Sequence, residues 1–100
     1  MTTDKIRDVI AEYKDLFDQL GIKPRKLKNY NQLPWLVEDN MAHLCWATYQ
    51  VDGLLDQDRK EKAFRWLGFI QGGLFFAGLK SLEDLKNDSR PDKKVNNAQI

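Results

Sequence analysis

The sequence predicts an all-α protein, a small bundle of three main helices plus a short fourth helix, followed by a disordered C-terminal tail. Three observations predict it. Residues 4–20 place apolar side chains at i, i+3, i+4 and i+7 over four turns, and residues 35–55 carry a second stripe of the same period. Helix start and stop residues fall between and after these segments: Gly21, Pro34, Asp58 with Glu61, Gly78, and Ser81 with Asp84. One hundred residues hold one domain, which at this size buries roughly 65% of its unfolded surface without staples. We expect a single helical domain over 1–87 and a polar tail over 88–100.

The first helix carries its apolar stripe on Ile6, Val9, Ile10, Tyr13, Leu16, Phe17 and Leu20, with charged residues on the other face. Thr3 suits its N-cap, and Gly21 suits a left-handed residue past its end. IKPRKLKNYNQL then breaks the pattern, because Pro24 stops a helix and Asn29 and Asn31 favour turns. Pro34 suits the first turn of the second helix. That helix has one stripe on Val37, Met41, Leu44, Cys45, Thr48, Val51 and Leu55, while Leu36, His43, Trp46 and Tyr49 fall largely off it. Apolar character on more than one side predicts a helix lying between two partners. Asp58 with Glu61 reads as an N-cap with a reciprocal acid, so the third helix should run from near Arg59 to about Ala77. Ser81 with Asp84 starts the short helix LEDLK, with Leu82 and Leu85 folding onto the core. From Asn87 the chain is polar, with no apolar period.

The third helix contains RWLGFIQGGLFFAGL, in which nine of fifteen residues are apolar and four are glycine. A membrane span needs about 20 apolar residues, and Arg65, Gln71 and Lys80 interrupt this one, so no membrane is expected. A central, buried helix fits better. Each interior glycine costs about 0.5–1 kcal/mol relative to alanine, so Gly68, Gly72 and Gly73 need a reason. Gly68 and Gly72, four apart on one face, let another helix backbone come close. That helix belongs either to the same chain or to a second copy. Gln71, if buried, needs partners, and His43, Asn40 or a water would serve.

Charge is unevenly spread. Lys23, Arg25, Lys26 and Lys28 have no acid among them, whereas residues 33–56 carry Glu38, Asp39, Asp52 and Asp56 with no Lys or Arg. The net charge of +1 gives no global pull toward nucleic acid or membrane. The single cysteine, Cys45, excludes an internal disulfide and a cysteine-built zinc site, and fits a reducing cytoplasm. The polar start, MTTDKIRD, lacks a signal-peptide pattern.

Catalytic constellations are thin. His43 and Cys45 are two apart on a helix and point away from each other. Asp39 and His43 are i, i+4 neighbours, a pair that can orient the imidazole or simply decorate the helix. No P-loop and no dinucleotide fingerprint occurs. We therefore expect no enzyme, no metal site and no cofactor. The basic stretch Lys23, Arg25, Lys26 and Lys28, with Tyr30 for stacking, is an alternative nucleic-acid footprint. It is small, and the acidic second helix would oppose it. His43, Arg65 and Gln71 form a further alternative, a small-ligand site between subunits. Eleven aromatic residues are many for a small core. Trp35 and Trp46 are the tryptophans expected to stay partly in water, as interface anchors do, and core packing is the plainer reading for Trp46 and Trp66. Trp35, Trp46, Gly68 and Gly72 are thus the expected protein-contact residues.

The stretch from about residue 41 to 91 carries a distinctive set: His43-Leu44 and Trp46, then Glu61-Lys62-Ala63, Arg65-Trp66-Leu67-Gly68-Phe69, Gln71-Gly72, Leu74, Gly78, Ser81-Leu82-Glu83 and Arg90-Pro91. This set resembles a family of small tailed-bacteriophage proteins without assigned function. The first helix and the basic loop lie outside the resemblance, which transfers no catalytic residues. It implies a phage-encoded protein acting in the host bacterial cytoplasm. Such a protein would bind, and inhibit or redirect, a host or phage protein, with a homodimer as one form.

Overall fold

The computed structural model describes residues 1–90, and these form four helices: α1 (Thr3–Gln19), α2 (Val37–Asp56), α3 (Lys60–Phe76) and α4 (Leu82–Ser89). The bundle is all-α, as the periodicity predicts. Residues 91–100 of the expected tail lie outside the described residues. Residues 88 and 89 do not belong to a tail: α4 continues through them and buries Asp88.

In α1 the predicted stripe is the buried one. Ile6, Val9, Ile10, Tyr13 and Phe17 are fully enclosed, while Leu16 is partly buried and Leu20 is largely exposed. Full burial of such side chains contributes about 1.5–3 kcal/mol each, and truncating Phe17 to alanine would cost about 3–5 kcal/mol. The cap is Thr2 rather than Thr3, its hydroxyl accepting from the Lys5 N–H at 3.1 Å. Gly21 ends the helix with φ +73°, as a left-handed residue should.

The helix at the centre is α2, not α3. It packs extensively against both α1 and α3, which touch each other much less. Its buried residues go most of the way round: Met41, Leu44, Cys45, Thr48, Val51 and Leu55 on the predicted stripe, with Ala42, Ala47 and Leu54 beside it. By contrast α3 buries a narrow stripe, Ala63, Leu67, Ile70 and Leu74. Pro34 does not enter α2, which starts at Val37 after Leu36, with no side-chain cap. Arg59, not Asp58, precedes α3. Asp58 instead adopts φ +58° and turns the chain between α2 and α3.

Polar contacts set the register of the outer elements. Arg7 reaches Asp52 at 3.4 Å and Asp56 at 2.7 Å, and Lys14 also pairs with Asp52. Exposed pairs of this kind contribute roughly 0–1 kcal/mol each. The Ser81–Asp84 capping box forms in both directions at 3.0 Å. Leu85 packs on the core, whereas Leu82 stays exposed. Behind α4 the Tyr13 hydroxyl donates to Asp88 Oδ2 at 3.0 Å and accepts from Gln71 Nε2 at 3.1 Å. Lys80 completes the group, 3.2 Å from Asp88. Burial, first of all, raises the Tyr13 pKa, so the phenol remains a donor.

Candidate functional site

The connection from α1 to α2 does not hang free. Its first half lies along α2, with the Arg25 N–H donating to the Ala42 carbonyl at 3.0 Å and the Leu27 N–H to His43 Nδ1 at 3.1 Å. The Arg25 guanidinium pairs with Asp39 at 2.9 Å. Asp39 therefore serves the loop and not the imidazole. His43 must be neutral to accept at Nδ1, and burial, followed by the charge on Lys26, lowers its pKa accordingly.

This strapping leaves a cleft between the N-terminal half of α2 and the C-terminal half of α3. Leu27 and Pro34 from the connection, Val37, Met41 and Leu44 from α2, and Phe69, Gly73 and Phe76 from α3 line it, with Asn40 and His43 supplying polar atoms. Its volume is about 390 Å³, within the range of ligand-sized clefts. The walls are apolar yet wet: Val37 is 67% exposed, Phe69 60% and Phe76 87%. Trp35, adjacent to Pro34 in the chain, is 87% exposed.

Of the three glycines inside α3, Gly73 is the one against which a neighbouring helix packs. A Cβ there would fall 2.8 Å from Leu44 Cδ2 and closer still to Cδ1, so its absence lets α2 and α3 approach. A Cβ on Gly68 or Gly72 would meet nothing within 4 Å. The reading in which α1 or α2 of the same chain fills the Gly68/Gly72 groove is therefore overturned. The physical reason is angular: Gly73 lies on the α2 side of α3, whereas Gly68 and Gly72 lie on the side turned to solvent.

The remaining candidate residues fall as follows. Trp46 is half-buried, its ring 5.0 Å from His43 and 5.9 Å from Trp66. The Lys26 ammonium lies over Trp46 at 5.4 Å and over Tyr30 at 4.8 Å. Of the basic loop, Arg25 and Lys26 are thus engaged within the chain, while Lys23 and Lys28 point to water with the exposed Tyr30. His43, Arg65 and Gln71 are not brought together. Gln71 turns toward α1 and α4, contacting Tyr13 and Ser89 instead of His43 or Asn40. Arg65 is exposed on the outer side of α3, so the three do not make one ligand site.

The cleft walls Phe69 and Phe76 were missed from sequence, although α3 offered a signal in being apolar all round. Val37, expected on the apolar stripe of α2, stands in water instead because it opens the first turn of α2, ahead of the packed stretch from Met41. Among the described residues, no three His, Cys, Asp or Glu side chains gather where they could hold a metal ion. No helix among them is long and apolar enough to cross a membrane. In comparisons with known proteins, no family model, no curated protein and no solved structure matches the chain.

Proposed function

We propose that the chain is a non-enzymatic, phage-encoded accessory protein of the host cytoplasm that binds a host or phage protein through the α2/α3 cleft. The observation that carries this reading is the apolar cleft whose walls, Val37, Phe69 and Phe76, stand in water although a filled core lies behind them. Two helix faces bordering an apolar trough suit an amphipathic helix laid between them. The charge around the trough favours an acidic one. Lys28, next to the Leu27 wall, and Arg65, one turn before Phe69, form no ion pair among the described residues, and Glu38 is the one exposed acid beside Val37.

The test is capture from nuclease-treated bacterial lysate with the wild type, Val37→Asp and Phe69→Asp. Both positions are exposed, and an acid in the first turn of α2 complements its dipole, so folding should persist. One protein retained in near-equal amount by the wild type and lost from both variants supports the cleft. A partner kept by both variants overturns it. Binding that disappears with nuclease would move the function to Lys23, Lys28 and Tyr30.

A further inference from the structure

The outer face of α3 adjoins the cleft, sharing Phe76 with it, and presents a different problem. Phe64, Gly68, Gly72 and Phe76 follow one another at intervals of four along a single ridge of the helix. Phe64 is 49% exposed, and Phe75, beside the ridge, is 38% exposed. The inner stripe of the same helix already fills the core. An α-helix apolar on both sides is normally covered on both.

The ridge reads the same in either direction about the level of residue 70, with a large ring at each end and two glycines between. We infer that this face pairs with the same face of a second copy, the two α3 helices running antiparallel about a two-fold axis. An isologous contact requires one surface to complement itself, and this palindrome does so. Gly68 meets Gly72 of the second copy, Phe64 meets its Phe76, and Arg65 lies over its Phe75. Missing side chains at the crossing let the backbones approach, which accounts for two glycines that nothing within the chain requires. No like charges meet, because the charged residues of this face are Glu61 and Arg65.

Area limits the strength of the pairing. Together Phe64, Phe69, Phe75 and Phe76 leave the equivalent of a little over two phenylalanines in water, roughly 400–500 Å² per copy. Two copies then bury roughly 800–1,000 Å², below the standard size of specific interfaces. The dimer should therefore be concentration-dependent. Phe69 and Phe76 border the cleft as well, but Phe64 and Gly72, the positions varied in the test below, lie outside it, so the two readings can fail separately.

Sedimentation of the wild type from about 1 µM to about 1 mM, the span over which weak interfaces associate, should show a monomer–dimer equilibrium. Gly72→Leu and Phe64→Asp should each remain monomeric throughout, with unchanged helical circular dichroism. A wild type that stays monomeric at the highest concentration overturns the inference, as do variants that still dimerise. If Gly72→Leu unfolds, Phe64→Asp decides. Orientation is read by bismaleimide cross-linking of Phe64→Cys with Phe76→Cys, since Cys45 is buried. Mixed products are expected, and predominant Phe64→Cys self-products would refute the antiparallel arrangement.

Discussion

Replacing the three α3 glycines one at a time by alanine separates two effects that a bare sequence merges. Every such change gains about 0.5–1 kcal/mol of helix propensity. At Gly68 and Gly72 the new methyl meets nothing within 4 Å, so monomer stability should rise by that amount. At Gly73 the methyl lands on Leu44, 2.8 Å from Cδ2 and nearer to Cδ1. Overpacking of this kind costs about 1–3 kcal/mol. Leu44 borders the cleft, which gives it room to swing, so the lower half of that range applies. The propensity gain cancels in the comparison, and Gly73→Ala should be less stable than Gly68→Ala by about 1–2 kcal/mol. For a domain of this size, that is on the order of 10 °C in Tm. Urea denaturation followed by circular dichroism, at concentrations where the chain is monomeric, measures the difference. Equal stabilisation at all three positions would show that α2 and α3 do not approach through Gly73, and the packing described above would fall.

Three further outcomes are expected. Tyr13→Phe removes a donor to Asp88 and an acceptor for Gln71 from an enclosed site, and should cost about 2 kcal/mol; a loss under about 0.5 kcal/mol in urea titrations would mean that this network does not hold α4. His43 titrates below its ordinary value because of burial and Lys26. The unfolded chain then binds the proton first, so stability is fully present above about pH 6.5 and declines as pH falls through the folded-state value. His43→Gln should flatten that decline, and the same slope in the variant would assign it to another group. Asp58→Gly, at φ +58°, relieves left-handed strain of about 1–2 kcal/mol but loosens the unfolded chain. The net gain should be under about 1 kcal/mol in thermal melts, and a net loss would mean that the Asp58 side chain stabilises the turn.

Much of the bundle was legible because its signals are local. The α1 stripe is buried where its spacing puts it, Gly21 and Gly78 adopt positive φ where helices end, and Ser81 and Asp84 cap each other. Local signals misplace what depends on neighbours. Thr2 displaces Thr3 at the first cap, because one residue of chain direction decides which side chain can reach the free N–H groups, and the left-handed turn at Asp58 leaves α3 to start after Arg59 with no side-chain cap. Gln71 finds Tyr13 rather than His43, and α4 extends to Ser89 because Asp88 has a partner 75 residues away. No spacing rule announces a contact of that separation.

The case of α3 differs from these. Periodicity identifies the inner face of a helix by contrast with a polar outer face, and α3 supplies little contrast. Its sequence therefore points to the centre of the bundle, and the structure places it at the side. The mismatch is informative. Residues such as Phe76 and Trp35, each 87% exposed, cost solubility without adding to this core. Glycines such as Gly68 and Gly72 weaken a helix without admitting a neighbour from the same chain. Local preference and intrachain packing agree over most of α1, α2 and α4, with Leu20, Val37 and Leu82 as exceptions at helix ends, and part company along α3 and the end of the loop that leads to the cleft. Exposed apolar side chains also occur at Leu20, Tyr49 and Leu82, but only along α3 do they coincide with a pair of interior glycines that no neighbour in the chain requires.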